Sequence, residues 1–165
     1  MKLRRVSALV FAFLAFSGSI AAAQELTMKD YDFKPGRGYS YVFATAEYMT
    51  LIYLPTMKSI GQVRQAWFYR IFSKPQSLAG FSFDRSAEKM EIDCQRERHR
   101  LVAQVLYSGG RHVHSEENVS EWRPIVPDTR ASTNMKAACD PASLNGEGEL
   151  DALAAKYLEN SRKPR

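Results

Sequence analysis

The chain has 165 residues, with 23 lysines and arginines against 18 aspartates and glutamates, and its formal net charge is +5. This length fits one domain with a substantial hydrophobic core. Three of the cations, Lys2, Arg4 and Arg5, lie in the first 23 residues, so the rest of the chain carries only +2. Such a weak charge argues against nucleic acid or an anionic membrane as the partner.

Residues 1–23 show the three parts of a secretory signal peptide. "MKLRR" is a basic start, "VSALVFAFLAF" is a short apolar core, and "SGSIAAA" ends in small residues. The apolar run is shorter than the roughly 20 residues that cross a bilayer. We therefore predict cleavage after Ala23 and an exported chain, periplasmic or secreted to the cell surface. It has no lipoprotein cysteine at the cleavage site, and no transmembrane segment is expected after it.

The next elements are an extended segment and two strands. Residues 24–45 are rich in turn-forming residues and predict an extended lead-in. An antiparallel sheet domain with a short helix is predicted over residues 46–140. Its first strand begins at Tyr48 and ends at Pro55. After the turn "SIG", the stretch "QVRQAWFYRIFSK" carries apolar residues on both faces, which is typical of a central strand, and Pro75 ends it.

The stretch "MEIDCQRERHRLVAQVLYSGG" predicts two more strands. Up to Cys94, the residues expected to face inward have even numbers. After it, the apolar residues have odd numbers. A strand changes faces only at an extra residue or a break, so residues 95–98 are predicted to be a bulge or a short connection. "SGG" then forms a tight turn, and "RHVHS" returns as a short strand, which completes a β-meander. The odd set comprises Leu101, Ala103, Val105 and Tyr107.

The C-terminal part predicts a loop and two helices, so the fold class is α+β. "EWRPIVPDTRAS" is a proline-rich loop in which Trp122 and Ile125 cover the core. "DTRASTNMKAACD" predicts a short helix capped by Asp128 or Ser132. Residues 141–165 predict an amphipathic helix and a basic tail. The apolar residues with helical spacing in this last segment are Leu150, Leu153, Ala154, Tyr157 and Leu158.

Cys94 and Cys139 are the two cysteines of the chain. In an oxidising compartment an even pair usually forms a disulfide, and we predict this bridge. Closing a loop of this length stabilises the fold by about 4 kcal/mol. The alternative is a free catalytic thiol, which export makes the weaker interpretation.

Two clusters of polar side chains are candidate sites. Arg96, Arg98, Arg100 and Arg111 form a basic set for an acidic partner, although interleaved acidic residues favour a solvated, salt-bridged surface. His112 and His114 lie two residues apart on a predicted strand, so their rings leave the same face. Together with His99, across the turn, they form an alternative site for Zn²⁺ or Cu²⁺, which requires three or four ligands.

The sequence lacks the motifs of common enzyme classes. There is no G-x-S-x-G, no glycine-rich phosphate loop and no H-E-x-x-H. We therefore predict that the protein is not an enzyme and needs no cofactor. The main hypothesis is an exported binding module, and the alternative is a metal-binding periplasmic protein that uses the three histidines. A weaker hypothesis is strand addition at the edge formed by residues 111–115.

Four segments in order, "QAWFYRIFSKP", "EKMEIDCQRERHRLVAQVLYSGG", "EWRPIVPDT" and "AAC", resemble the surface-adhesin protein E-like family of bacterial exported proteins. The resemblance implies an antiparallel sheet with packed helices, a Cys94–Cys139 bridge and an envelope location. For partners, it implies extracellular-matrix proteins and, as one option, a homodimer. The matching positions are Trp67, Ile92, Asp93, Cys94, Leu101, Tyr107, Trp122, Ile125, Pro127 and Cys139.

Overall fold

A computed structural model describes residues 38–144 and 148–161. The predicted signal peptide, residues 24–37 of the lead-in and the basic tail after Ser161 lie outside these ranges. What the sequence predicts for them therefore stays a prediction.

Within the described residues, seven strands form one antiparallel sheet, in which the first six lie side by side in chain order. This is the predicted meander. Its first strand lies within the predicted lead-in, so the sheet begins before residue 46. The α+β class is confirmed in part, because strands dominate and the helices are minor. The strands are β1 (Tyr39–Ala44), β2 (Tyr48–Ile60), β3 (Val63–Leu78), β4 (Phe81–Asp93), β5 (Arg98–Ser108), β6 (Arg111–Glu116) and β7 (Arg123–Pro124), the last of which pairs with the start of β5.

Two helices, α1 (Arg130–Cys139) and α2 (Leu150–Ser161), pack on opposite faces of the sheet. We call these the α1 face and the α2 face. A helix as short as α2 is marginal alone in water, so its packing against the sheet stabilises it. On the α1 face, the core includes Ile52, Ala66, Phe68, Met90, Ile92, Ala137 and Ala138. On the α2 face, it includes Tyr39, Leu51, Tyr69, Ile71, Val105, Tyr107, Leu150, Ala154 and Tyr157.

The predicted strand ends at Pro55 and Pro75 are wrong, because both strands continue past these residues. The β2–β3 pairing is interrupted between Tyr53 and Lys58, and the β3–β4 pairing is interrupted after Ile71. Proline has no backbone N–H to donate and is tolerated where the hydrogen-bond ladder is irregular. Each proline therefore lies in an interruption of the pairing and does not end its strand.

The face change predicted near Cys94 has two structural causes. Residues 94–97 form a short connection between β4 and β5, which confirms the predicted break but places it one residue earlier. In addition, Met90 pairs with Leu101 while Lys89 pairs with Ala103, so one extra residue bulges between these pairs. Leu101 consequently packs on the α1 face, whereas Val105 and Tyr107 pack on the α2 face. The prediction that Leu101 shares a face with the other two is wrong.

The cap of α1 also differs from its prediction. Thr129 is the N-cap, and its hydroxyl accepts a hydrogen bond from the backbone N–H of Ser132 at 3.4 Å. Asp128 precedes it with a φ of 59°, in the left-handed region, and so belongs to the turn before the helix. Threonine, like the predicted Asp128 and Ser132, caps a helix by accepting a backbone hydrogen bond with its side-chain oxygen. The cap therefore has the expected chemistry at a position between the two predicted residues.

Candidate functional site

Cys94 and Cys139 are bonded to each other, with their Cα atoms 5.9 Å apart. Cys94 directly follows β4, and Cys139 is the last residue of α1, so the bridge ties the end of the helix to the sheet. Neither cysteine is free. The disulfide is therefore as predicted, and the alternative of a free catalytic thiol is wrong.

An aromatic ring in contact with two arginines marks the end of the α2 face next to the β4–β5 connection. The guanidinium carbons of Arg98 and Arg100 each lie 4.7 Å from the ring centroid of Trp122. Contacts of this kind attract because the ring face carries partial negative charge. We call these three residues the Arg–Trp–Arg stack. Trp122 is partly exposed and packs against neither hydrophobic core, so the prediction that it covers the core is wrong, whereas Ile125 is buried as predicted.

Carboxylates hold both arginines from the side of the sheet. The Nε of Arg98 donates to Asp93 at 3.1 Å, and the Nε of Arg100 donates to Glu91 at 2.7 Å. Gln65 donates to the other oxygen of Glu91 at 3.0 Å. The arginine side chains nevertheless stay 33% and 32% exposed. The stack is therefore a charged surface whose side chains are held in place before any partner arrives.

The Asp93 carboxylate links the stack to the stability of the fold. Burial alone would raise its pKa, but hydrogen bonds from the backbone N–H of Arg96 and from Arg98 outweigh burial and lower the pKa of Asp93. Because the folded-state pKa is depressed, the stabilisation is present above the unfolded-state value, about 3.9. It is lost as the pH falls through the folded-state value.

We expect the stability of the protein to fall on acidification below about pH 4, and Asp93→Asn to weaken this dependence. Thermal unfolding from pH 2 to pH 7 measures both. Asp151→Asn is the matched control, because that side chain is 77% exposed. An equal pH dependence in Asp93→Asn and in the parent would contradict the assignment.

The four predicted arginines do not form one surface. Arg96 lies beside the stack, with its guanidinium 3.9 Å from Asp93 and its side chain 70% exposed. Arg111 pairs with Ser108 at the opposite end of β5. At about 3.3 Å per residue, the strand separates the two ends by roughly 30 Å. Only Arg96, Arg98 and Arg100 therefore lie close enough to act together.

The two histidines of β6 do not share a face. His112 pairs with Tyr107 and His114 pairs with Leu106, which leaves Val113 as an extra residue in a bulge. Because neighbouring residues of β5 point to opposite faces, their partners do so too. The rings contact different neighbours: His112 meets the edge of Tyr107, and His114 stacks on a phenylalanine. The prediction that both rings leave the same face is wrong.

His99 lies far from this pair. It pairs with Ile92 and Arg123 near the start of β5, seven residues before the partner of His114, which is about 23 Å along the strand. Burial, followed by the charges of Arg123 and Arg130, lowers the pKa of His99. Within residues 38–144 and 148–161, no three His, Cys, Asp or Glu side chains are arranged to hold a metal ion. The three histidines therefore do not converge, and the alternative metal site that needed them together is not formed in the described part of the chain.

Sequence reasoning missed a buried ion pair on the α1 face. Arg70 on β3 contacts Glu88 on β4, and their side chains are 13% and 8% exposed. Gln104 donates a hydrogen bond to the same carboxylate at 3.2 Å. Burial, followed by the charge of Arg130, lowers the pKa of Arg70 to about 10. Both residues look like ordinary surface charges in the sequence, and only the strand register shows that they face the core.

Two hydroxyl groups lie beside this ion pair. Thr50 and Ser86 are the register neighbours of Arg70 on β2 and β4. Their oxygens are buried without a hydrogen-bond partner in the described part of the chain. The α1 face thus has a polar row through an otherwise apolar core, and such a row makes the core sensitive to the loss of either charge.

A comparison with known protein families agrees with the sequence resemblance. The family described as surface-adhesin protein E matches residues 39–140, from β1 to just past α1. This range includes both cysteines and the Arg–Trp–Arg stack, whereas α2 lies outside it. No curated protein and no solved structure was found to match the chain. Among the described residues, no helix has the length and apolar character needed to cross a membrane. The chain belongs to the surface-adhesin protein E family.

Proposed function

We propose that this protein is a non-enzymatic, exported module of the cell envelope that binds another protein, in the first place an extracellular-matrix component. Membership of a surface-adhesin family supports a binding role. The observation that carries the proposal is the Arg–Trp–Arg stack. Arginine and tryptophan are among the residues that most often dominate the binding energy of protein interfaces.

The surroundings of the stack suit such a role. Carboxylates and the indole ring already hold Arg98 and Arg100, so little side-chain entropy is lost when a partner binds. Arg96 is exposed beside the stack and adds positive charge at the rim. A partner with acidic side chains or acidic glycan groups around an apolar contact would match this surface.

We expect Trp122→Ala to weaken binding to the matrix protein about thirtyfold or more, because truncating a central aromatic residue of an interface typically costs at least 2 kcal/mol. Surface plasmon resonance against a panel of purified extracellular-matrix glycoproteins, with serum albumin as the negative reference, measures this. Trp122→Phe keeps an aromatic ring beside the guanidinium groups and should retain part of the affinity.

Arg111→Ala is the matched control. This exposed arginine lies on β6, beside the end of β5 that is far from the Arg–Trp–Arg stack. It should bind like the parent. Equal losses in Arg111→Ala and Trp122→Ala would contradict the proposed surface. If no panel member binds the parent at micromolar concentration, the matrix partner is wrong.

Location and assembly complete the proposal. The predicted signal peptide supports export to the periplasm or the cell surface, and protease treatment of intact cells tests which side of the envelope the protein occupies. The homodimer implied by the family resemblance is tested by sedimentation velocity of the purified chain.

A further inference from the structure

A cleft of about 630 Å³ lies between the β1 edge of the sheet and α2. Tyr41, Ala44 and Met49 line the sheet side, and Leu153 and Tyr157 line the helix side. Pockets that hold small molecules usually measure roughly 300–1,000 Å³. The family match ends at residue 140, so the helix wall of this cleft lies outside it.

One stripe of α2 faces the cleft and changes polarity along its length. Its residues recur at i, i+3, i+4, i+7 and i+8, the spacing of a single helix face. The stripe begins with an apolar side chain and ends with two polar ones about 12 Å further along the helix. These cleft residues are Leu153, Lys156, Tyr157, Asn160 and Ser161. The cleft is therefore apolar at one end and polar at the other.

The charge of the lining has one sign. Lys156 is the cation among the lining residues, and no aspartate or glutamate in the described part of the chain is among them. Glu47 and Glu159 are sequence neighbours of lining residues, but neither lines the cleft. Burial, and then the charge of Glu47, raises the pKa of Tyr157 in the cleft wall. Lys156 forms no ion pair with any residue that the structure describes. An anionic group placed between Lys156 and Asn160 would gain a charged hydrogen bond.

We infer that this cleft binds a single-chain anionic amphiphile. The apolar chain lies against Tyr41, Met49 and Leu153, where it is removed from water. The anionic head lies at the polar end, beside Lys156 and Asn160. A free fatty acid and a lysophospholipid share this chemistry, and both are ligands that an envelope protein would meet.

The experiment compares three ligands of equal chain length on the full chain, purified after export and freed of lipid. Dodecanoate, dodecanoyl lysophosphatidylglycerol and dodecyl maltoside are titrated by calorimetry below their critical micelle concentrations. Both anionic ligands should bind at one site per chain, and the neutral maltoside should bind about tenfold or more weakly. The anion that binds with the higher affinity shows whether the natural ligand is a free fatty acid or a lysophospholipid. Equal binding of the maltoside, or no saturable binding of either anion, would overturn the inference.

Two variants test the place of binding. Lys156→Met keeps the length and the apolar stem of the side chain, so dodecanoate should lose about tenfold in affinity while the maltoside is unchanged. Lys136→Met on α1 is the matched control and should bind like the parent. If Lys156→Met and Lys136→Met bind dodecanoate equally, the head-group assignment is wrong.

Ala44→Trp fills the cleft from an exposed edge position and does not alter the core. It should abolish the binding of all three ligands while the melting temperature stays close to that of the parent. Binding as in the parent would place the ligand elsewhere. Trp122 lies far from this cleft, so the Trp122→Ala variant should bind dodecanoate normally. Failure of the cleft proposal can therefore be distinguished from failure of the proposed Arg–Trp–Arg stack.

Discussion

Replacing both Cys94 and Cys139 by alanine is expected to lower the free energy of unfolding by about 4 kcal/mol. The bridge closes a loop with a sequence separation of 45, and without it the unfolded chain regains the entropy of that loop. This is a large part of the roughly 5–15 kcal/mol that holds a typical domain together. The melting temperature should fall by roughly 10–20 °C.

The composition of α1 explains why its covalent link matters. Its buried residues are small or polar, so the helix removes little apolar surface from water when it packs on the sheet. The second helix, α2, instead buries Leu150 and Tyr157. Loss of the bridge should therefore speed amide hydrogen exchange in α1 more than in α2. The buried residues of α1 are Ser132, Asn134, Ala137 and Ala138.

Calorimetry of the parent, the reduced parent and the double alanine variant measures the effect. The reduced parent should melt like the variant, because both lack the same closed loop. Peptide mass spectrometry without reduction should show the two cysteine peptides joined. A variant that melts within about 2 °C of the parent would contradict the assigned role of the disulfide.

Replacing Glu88 by glutamine is expected to lower the free energy of unfolding by about 3–5 kcal/mol. The substitution keeps the shape of the side chain but removes the negative charge that Arg70 contacts. The guanidinium then stays buried with no opposite charge, beside hydroxyl groups that already lack partners. Urea unfolding at neutral pH measures the loss.

The ion pair of Arg100 and Glu91, whose side chains are 32% and 14% exposed, provides the more accessible control. Glu91→Gln makes the same chemical change at a partly exposed position and should cost at most about 1 kcal/mol. The double variant Arg70→Met with Glu88→Met should recover most of the stability, because it removes both buried charges together. If Glu88→Gln costs no more than Glu91→Gln, the buried pair does not have the role assigned to it.

Much of the fold could be predicted from local patterns. Alternating apolar residues on either side of the "SGG" turn predicted an antiparallel meander, and the spacing of Leu150, Ala154 and Tyr157 predicted α2. The pairing of Cys94 with Cys139 needed only their number and an oxidising compartment. The strands and the helix depend on neighbours within a few residues. The disulfide had one possible pairing because the chain has two cysteines.

The candidate sites depended on register, which the local pattern does not contain. One extra residue at Val113 sends His112 and His114 to opposite faces and removes the predicted metal site. The same kind of bulge moves Leu101 to the α1 face. Side-chain direction repeats every two residues, so one inserted residue reverses every later assignment. Whether a bulge forms depends on the partner strand.

By itself the sequence determined the order of the strands from β2 to β6, the amphipathic character of the last helix and the two cysteines that pair. Only the tertiary structure decided that Trp122 contacts two arginines, that Arg70 meets Glu88 inside the core, and that α2 leaves a cleft beside β1. Each of these contacts joins residues far apart in the chain or on different strands. Their formation depends on how strands pair and twist, and no window of neighbouring residues specifies that.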